Sequence, residues 1–240
     1  MAVLSGVYPL FNKCWEECQD VYVISDTHFF DADLRQGIPD RPTDDNLIAL
    51  INKRAGAQSA LIHLGDVGDI NAVHKLRAKY KILVLGNHDQ GASNYQRQYV
   101  YKKYDANIWT RENAIKNMQS LYPNWNITIE QSYDFHTPFI YWKACADNKL
   151  FDLVFTGPVI IGEKLILSHE PLPNLTWCLN LHGHIHNKSY ANDNTHFNVC
   201  CDVFGYKPLN LNKFLKEGGL SKVDSIHRIT INNATARKKR

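Results

Sequence analysis

The strongest constraint on the fold of this chain is the segment Leu83-Val84-Leu85-Gly86-Asn87-His88-Asp89, an apolar run that stops at a glycine and then presents three polar side chains in succession. A short apolar run bounded by a breaker suits a central parallel strand better than a helix. In open α/β sheets ligands gather outside the carboxyl ends of strands, which is where Asn87, His88 and Asp89 would project. One such loop is only a loop. Four further apolar runs end the same way, however: Val21 to Ser25 before Asp26-Thr27-His28, Leu61 to Leu64 before Gly65-Asp66, Lys164 to Ser168 before His169, and Leu179 to His182 before Gly183-His184-Ile185-His186. Five strand ends therefore deliver carboxylates, imidazoles and one amide. That is a set of metal ligands.

Length and composition bound what such a site can belong to. At 240 residues the chain is one large domain, 1–240, or a domain with an insertion. An apolar content of 44% is enough for an ordinary core. A net charge of +3 supports neither an acidic solvating tail nor a strongly basic nucleic-acid protein. The N-terminus lacks the order of a signal peptide, and no apolar run reaches membrane-spanning length, so a soluble cytoplasmic protein is expected, with no membrane partner. Cys14, Cys18, Cys145, Cys178, Cys200 and Cys201 lack zinc-ribbon spacing and read as reduced, inert thiols. In that compartment Asn126-Ile127-Thr128 carries no glycan.

In chain order, a lead-in over 1–19 precedes a strand at Val21 to Ser25. Thr43 with Asp44 and Asp45 starts a helix carrying Leu47, Leu50, Ile51 and Arg54 at helical spacing. A strand at Ala60 to Leu64, a helix near Ile70 to Lys79 and a strand at Lys81 to Leu85 complete a β-α-β-α-β alternation, hence an α/β sheet. From Ser93 to about Asn148 aromatic residues concentrate among Arg97, Lys102 and Lys103. This segment (about 93–148) is expected to be a cap or insertion beside the site. Its rings would either stack nucleobases or pack a small core of their own. Phe151 to Ile161 resumes the strand pattern, and Gly162-Glu163-Lys164 looks like a hairpin turn. Phe197 to Val203 reads as a strand, Leu209 to Lys216 as a short helix, and 236–240 as a frayed basic tail.

Asp26 and His28 stand two apart, as do His184 and His186; in an extended segment each pair shares a side and can face one ion. Carboxylate, imidazole and amide oxygen together suit manganese, iron or zinc rather than an all-thiolate site. Two ions with four ligands each need a shared group, and Asp66, alone at the end of a central strand, is the natural bridge. His63, His74, His136, His182, His196 and His227 read as ordinary core or surface histidines.

In these blocks the chain resembles the calcineurin-like metallophosphoesterases, whose pattern is Asp-x-His, Gly-Asp-x-x-Asp/Arg, Gly-Asn-His-Asp/Glu, a lone His, and Gly-His-x-His. Here they stand as Asp26-Thr27-His28, Gly65-Asp66-Val67-Gly68-Asp69, Gly86-Asn87-His88-Asp89, His169, and Gly183-His184-Ile185-His186. Asn198-Val199-Cys200-Cys201-Asp202 and Gly205-Tyr206-Lys207-Pro208 look like the closing stretch of small prokaryotic or phage-type members. The resemblance implies an αββα sandwich of mixed sheets flanked by helices. It implies two divalent ions, manganese first, with iron, zinc, nickel or magnesium as alternatives. One ion would sit on Asp26, His28, Asp66 and His186, the other on Asp66, Asn87, His169 and His184. His88 would act at the leaving oxygen, Asp89 would orient it, and Asp69 would stand behind the ligands. The reaction implied is metal-assisted hydrolysis of a phosphoester by hydroxide attack. Phosphoprotein phosphatases of the family carry Arg where Asp69 stands, and commonly another where Leu85 stands. Lacking both, this chain should grip a phosphomonoester dianion poorly. The expected substrate is a phosphodiester or nucleotide-like ester; a phosphomonoester, a phosphoprotein and nucleic acid are the alternatives. The sequence leaves the oligomeric state open.

Overall fold

The computed structural model describes residues 17–96, 98–123, 125–133, 136, 139–148, 150–161, 164–175, 178–186 and 193–223. Cys14 and most of the lead-in, Arg97, the turn residues Gly162 and Glu163, His227 and the basic tail lie outside them. The chain divides into two compact units, one made of residues 1–95 and 153–240, the other of 96–152.

The larger unit is a mixed α/β structure built on two sheets. In the first, β1 (Asp20–Ile24), β2 (Ser59–His63), β3 (Tyr80–Val84) and β7 (Leu153–Phe155) run parallel, and β12 (Leu209–Asn210) closes the edge beyond β1 antiparallel. In the second, β9 (Leu165–Leu167), β10 (Leu179–His182) and β11 (His196–Asn198) are parallel, and β8 (Val159–Ile161) pairs antiparallel with β9. Every residue of β2 is buried, as a central parallel strand covered on both faces must be. One side faces the second sheet: Val21, Val23, Ala60, Ile62, Ile82 and Val84 share a core with Val159, Ile161, Leu165, Leu167, Leu179 and Leu181. The described helices are few, and none is long and apolar enough to cross a membrane.

The helix expected after Thr43 forms at Asp44–Arg54, preceded by a short helix at Ala32–Gly37 (α2 and α1). The Thr43 hydroxyl accepts from the Asn46 amide at 3.4 Å. Asp44 and Asp45 fill the first turn and Lys53 and Arg54 the last, each sign at the helix end whose dipole favours it. Leu47, Ile48 and Ile51 form its buried stripe.

Three expectations need correction. The helix read over Ile70 to Lys79 is one turn, Ile70–Val73 (α3). The Leu76 amide already bonds the Val73 carbonyl, and the Lys79 amide crosses to Ser59, so the backbone is rejoining the sheet where the sequence pattern still looks helical. The strand read over Phe197 to Val203 stops at Asn198. After the Ser25–Cys200 bridge the chain turns, the Tyr206 amide reaching back to the Cys201 carbonyl at 2.7 Å. Leu209 and Asn210 extend the first sheet rather than beginning a helix. The helix starts at Leu211 and runs to Lys216 (α5, numbered after the helix of the smaller unit), capped by the Asn210 side chain.

The smaller unit is an antiparallel sheet in the order β4 (Gln98–Asp105), β6 (Ile140–Asn148), β5 (Asn126–Tyr133), with helix α4 (Arg111–Leu121) capped by Thr110. Tyr104, Ala114, Met118, Ala144 and Ala146 make its core, and Trp109, Tyr122, Trp125, Ile127, Ile129 and Trp142 pack against them. The Trp142 indole N–H donates to the Trp109 carbonyl at 2.9 Å. These tryptophans therefore serve packing. Tyr99 and Tyr101 of β4 stand 60% and 64% exposed.

Candidate metal centre

The five loops that follow β1, β2, β3, β9 and β10 hold the residues named from the sequence. Asp26, His28, Asp66, His184 and His186 all adopt left-handed backbone, with φ of 57°, 37°, 55°, 69° and 48°. Such conformations cost non-glycine residues free energy and persist where the surroundings enforce them, typically at functional sites. They also overturn the extended-chain argument for the paired ligands. His184 and His186 do not face one ion together; the structure puts them in two different groups.

The first group is Asp26, His28 and His186, the second Asp66, His169 and His184; within each, the donor atoms lie within 4.8 Å of one another. Asp66 Oδ2 stands between them, 3.5 Å from His28 Nε2 and 3.4 Å from His169 Nε2. Asn87 Oδ1 completes the second group, 2.8 Å from His169 Nε2 and 2.9 Å from His184 Nδ1. In the first, His186 Nε2 lies 3.9 Å from Asp26 Oδ1, and the His28 and His186 rings stack at 5.5 Å.

Two observations test whether these residues fit divalent cations. His28 Nε2 is buried and has no hydrogen-bond partner, a costly arrangement for an atom with no ligand to meet. His169 Nδ1 lies 2.8 Å from the Leu64 carbonyl, which fixes the tautomer and leaves the Nε2 lone pair aimed at the amide oxygen of Asn87. Two acceptors facing each other at 2.8 Å call for a cation between them, or for a proton on the imidazole. The donor set of carboxylate, imidazole and amide oxygen suits a hard or borderline divalent ion. The residues fit.

Charge is distributed accordingly. Burial pushes Asp66 up, but the His169 ring, the His88 amide and the charges of His169 and His28 outweigh it and hold the carboxyl at about 2. Burial drives His28 below its ordinary value. It pulls His169 the same way, where Asp66, Asp26 and the Leu64 carbonyl reverse the outcome and raise it. The Asp202 hydrogen bond raises His186.

The loops are fastened before any ion arrives. Asp89 Oδ2 accepts from the Asp66 and Gly86 amides and Oδ1 from the Val67 amide, all between 2.8 and 2.9 Å, and the Tyr95 hydroxyl adds a contact at 3.2 Å. Where the sequence had Asp89 orienting His88, its carboxylate clamps the loops after β2 and β3 together. Two glycines allow the close approach: a Cβ on Gly86 would meet Asp66 Oδ1 at 2.2 Å, and one on Gly183 would meet Asp26 Oδ2 at 2.2 Å. His88 is exposed; its amide donates to Asp66 Oδ1 at 2.9 Å, and its ring lies edge-on to His28 at 5.5 Å. Asp69 is turned to other work. It is exposed, caps α3 and accepts from the Asn71 backbone and side-chain amides.

Several supporting residues had no role assigned from the sequence, although Cys200, Cys201 and Asp202 stand in the stretch that resembles the closing segment of small family members. Asp202 Oδ2 lies 3.1 Å from His186 Nδ1, and this fixes the tautomer that presents Nε2. The Cys200 thiol donates to Asp26 Oδ2 at 3.0 Å and the Cys201 thiol to the Asp26 carbonyl at 3.1 Å. Burial pushes the Cys200 thiol far above its ordinary range and Cys201 to about 12, in keeping with their place as neutral S–H donors. The buried guanidinium of Arg41 donates to the Thr27 carbonyl and lies over the Tyr206 ring.

Known proteins place this arrangement. The crystal structure of the protein of unknown function AQ665 from Aquifex aeolicus is similar over 82% of this chain and 98% of its own, with a TM-score of 0.50 and 19% identity; that likeness speaks of the fold. No curated protein matches the chain. The model of the family described as calcineurin-like phosphoesterase matches residues 20–188, from β1 through both histidines of the Gly-His-x-His block. The chain belongs to the calcineurin-like phosphoesterase family.

Proposed function

We propose that the chain is a two-metal phosphodiesterase. The observation that carries this reading is the convergence of two donor groups on one carboxylate oxygen, with His28 and His169 both within 3.5 Å of Asp66 Oδ2. Asp26, His28, Asp66 and His186 would hold one divalent ion, and Asp66, Asn87, His169 and His184 the other; manganese suits these donors first. Two such ions, when bound, neutralise a phosphate and lower the pKa of water enough to make a nucleophile. The chain's own residues do the rest. Asp66 would be shared by the two positions, and its backbone and side chain are both held, the former by Asp89 and the latter by the His88 amide. His88, exposed beside His28, is placed to give a proton to the departing oxygen. Asp89 keeps the loops that carry Asp66, Asn87 and His88 in register.

Preference for a diester follows from what surrounds this centre. A phosphomonoester dianion needs more cationic grip than a diester monoanion, and a guanidinium supplies it best. Leu85 and Asp69 occupy the positions where phosphatases of the family carry arginine, and Arg41 is buried, with Nη2 on the Thr27 carbonyl and its guanidinium over the Tyr206 ring. The test is hydrolysis of bis(p-nitrophenyl) phosphate against p-nitrophenyl phosphate after chelation and reloading with manganese. A higher kcat/KM for the diester is expected. A preference for the monoester would reverse the substrate assignment, and no metal-dependent turnover of either would remove the activity.

A further inference from the structure

A cavity of about 470 Å3 opens directly on the second donor group, since Asn87 and His169 form part of its wall. Leu85, Pro158 and Leu172 are the apolar lining residues and Glu170 the acidic one; among the described lining residues there is no lysine or arginine. This volume lies in the range of small-molecule sites. It is too small for a polymer.

The far wall is built rather than incidental. Asn180 is fully buried; its Oδ1 accepts from the Leu172 amide at 2.9 Å, and its amide nitrogen donates to Ser168 Oγ at 2.8 Å. Ser168 in turn donates to the Glu170 carbonyl at 2.6 Å. His196 Nε2 donates to the Leu172 carbonyl at 2.7 Å. Residues 168 to 172 thus stand in a fixed course beside His169, and a ligand arm meets a preformed surface without having to order it.

We infer that this cavity receives one organic arm of the phosphodiester and selects for an arm that carries no negative charge. The inference rests on the two-metal reading for the position of the phosphate. A diester held beside Asn87 and His169 must send one of its two alcohols along this wall. Leu85, Pro158 and Leu172 favour a compact apolar or neutral group. The charge of the ions, when bound, would be taken up by the phosphate itself; an anionic second arm would then lie near Glu170 with no lysine or arginine among the described lining residues to offset it, and like charges brought together at a binding surface discriminate strongly. The substrate class is therefore a small diester of an uncharged or cationic alcohol. Nucleoside polyphosphates and nucleic-acid strands, whose arms carry further phosphates, are disfavoured.

The test uses the manganese-loaded full chain and p-nitrophenyl phosphodiesters whose second arm is methyl, propyl, 3-carboxypropyl or 3-(trimethylammonio)propyl. Calorimetric binding of the matching alkyl methylphosphonates, which resist hydrolysis, reads the cavity independently of the chemistry. Propyl and trimethylammoniopropyl arms should exceed methyl in both measurements, and the carboxypropyl arm should fall about tenfold below propyl. Glu170→Gln should narrow the carboxylate deficit and Glu170→Lys should invert it. Leu172→Trp, which fills the cavity, should abolish the preference of propyl over methyl. Equal binding of propyl and carboxypropyl arms, or no narrowing in Glu170→Gln, overturns the assignment of the cavity even if hydrolysis proceeds. Selective binding without hydrolysis leaves that assignment standing and sinks the phosphodiesterase reading instead.

Discussion

Acidification should destabilise this protein through one buried histidine that is not a metal ligand. His63 at the end of β2 is fully buried and its hydrogen bonds are spoken for. The Thr27 hydroxyl donates to the Val67 carbonyl at 2.9 Å and so accepts from His63 Nε2–H, also at 2.9 Å; Nδ1 accepts from the Gly65 amide at 3.2 Å. A second proton would confront the Gly65 donor and bury a charge. Burial accordingly lowers the imidazole from 6.5 to about 4, against the opposing charges of Asp89, Asp26 and Asp66. A depressed folded value means that between pH 6.5 and 4 the unfolded chain binds the proton and the folded chain does not, so stability is intact above 6.5 and falls as the pH drops toward 4. The difference of 2.5 between those two values, at about 1.4 kcal/mol per unit, makes the full loss roughly 3 kcal/mol, of which about 2 kcal/mol is gone by pH 5. With a urea m-value of about 2 kcal/mol per M, the midpoint should fall by about 1 M between pH 7 and 5. The assay is urea unfolding of the chelated protein, followed by circular dichroism, for the parent and His63→Gln. His169 and His186, both raised, act in the opposite direction, favouring the fold below their unfolded value; both are present in the two proteins, so the difference between them reports His63 together with its interaction with His169. Parallel pH dependences for parent and variant would refute the reasoning.

Asp66→Asn should abolish activity and empty both metal positions, whereas His169→Ala should mainly empty one; elemental analysis after manganese loading decides, and full two-metal occupancy in Asp66→Asn removes Asp66 as the bridge. Asp202→Ala should weaken metal binding about 10- to 100-fold, the usual cost of removing the group that orients a ligand histidine, measured by chelator competition; unchanged affinity would show that His186 needs no such support. His88→Asn should keep its metals and lose about 10²- to 10⁴-fold in kcat, most for poor leaving groups and least for nitrophenolate; a loss uniform across leaving groups would make His88 a phosphate-positioning residue. Trp142→Ala should lower the stability of the 96–152 unit by about 3 kcal/mol, the low end for a tryptophan truncated in a core, read from the fluorescence of the remaining tryptophans on melting; a change confined to substrate KM would assign that ring to recognition.

The candidate ligands were legible in the sequence because metal chemistry demands particular residue types, and because parallel strands announce their ends by an abrupt change from apolar to polar. Asp26, Asp66, Asn87, His169 and His184 needed no knowledge of the backbone to be picked out. Their partition between two groups came from the family resemblance and agrees with the grouping in the structure; spacing alone misled. Alternation assumes extended chain, and His184 and His186 stand at positive φ, where residues two apart no longer share a side. Element ends suffered for a related reason. Lys79, Cys200 and Leu209 sit where the chain is captured by hydrogen bonds or pairing to segments more than 15 residues away, and no local pattern encodes that. The aromatic stretch showed that something folds between 93 and 148, while its composition alone left both packing and recognition open, with packing favoured. Trp109, Trp125 and Trp142 pack into a core, as three strands and one helix with few other apolar residues require.

What the sequence hid most completely is the support behind the ligands, and its physical logic explains why. Strained left-handed backbone at five candidate ligand residues persists only where surrounding bonds hold it. Those bonds come from groups with no ligand signature: the Asp89 carboxylate on three backbone amides, the Cys200 and Cys201 thiols on Asp26, and the His184 amide on the Asp26 carboxylate at 3.0 to 3.1 Å. A cysteine is uninformative in sequence because its usual role is packing, yet here its weak S–H donor is of value because it is weak. It fixes the orientation of Asp26 while withdrawing little of the negative charge that a divalent ion would use. Replacing Cys200 by serine, a stronger and shorter donor, should therefore lower metal affinity more through charge competition than through lost packing. Cys200→Ala should relieve that competition and leave the Asp26 carboxylate held by the His184 amide. If serine and alanine weaken manganese binding equally, the thiol is packing alone; if serine is the weaker binder and alanine the less specific one, the hydrogen bond sets how much charge Asp26 offers.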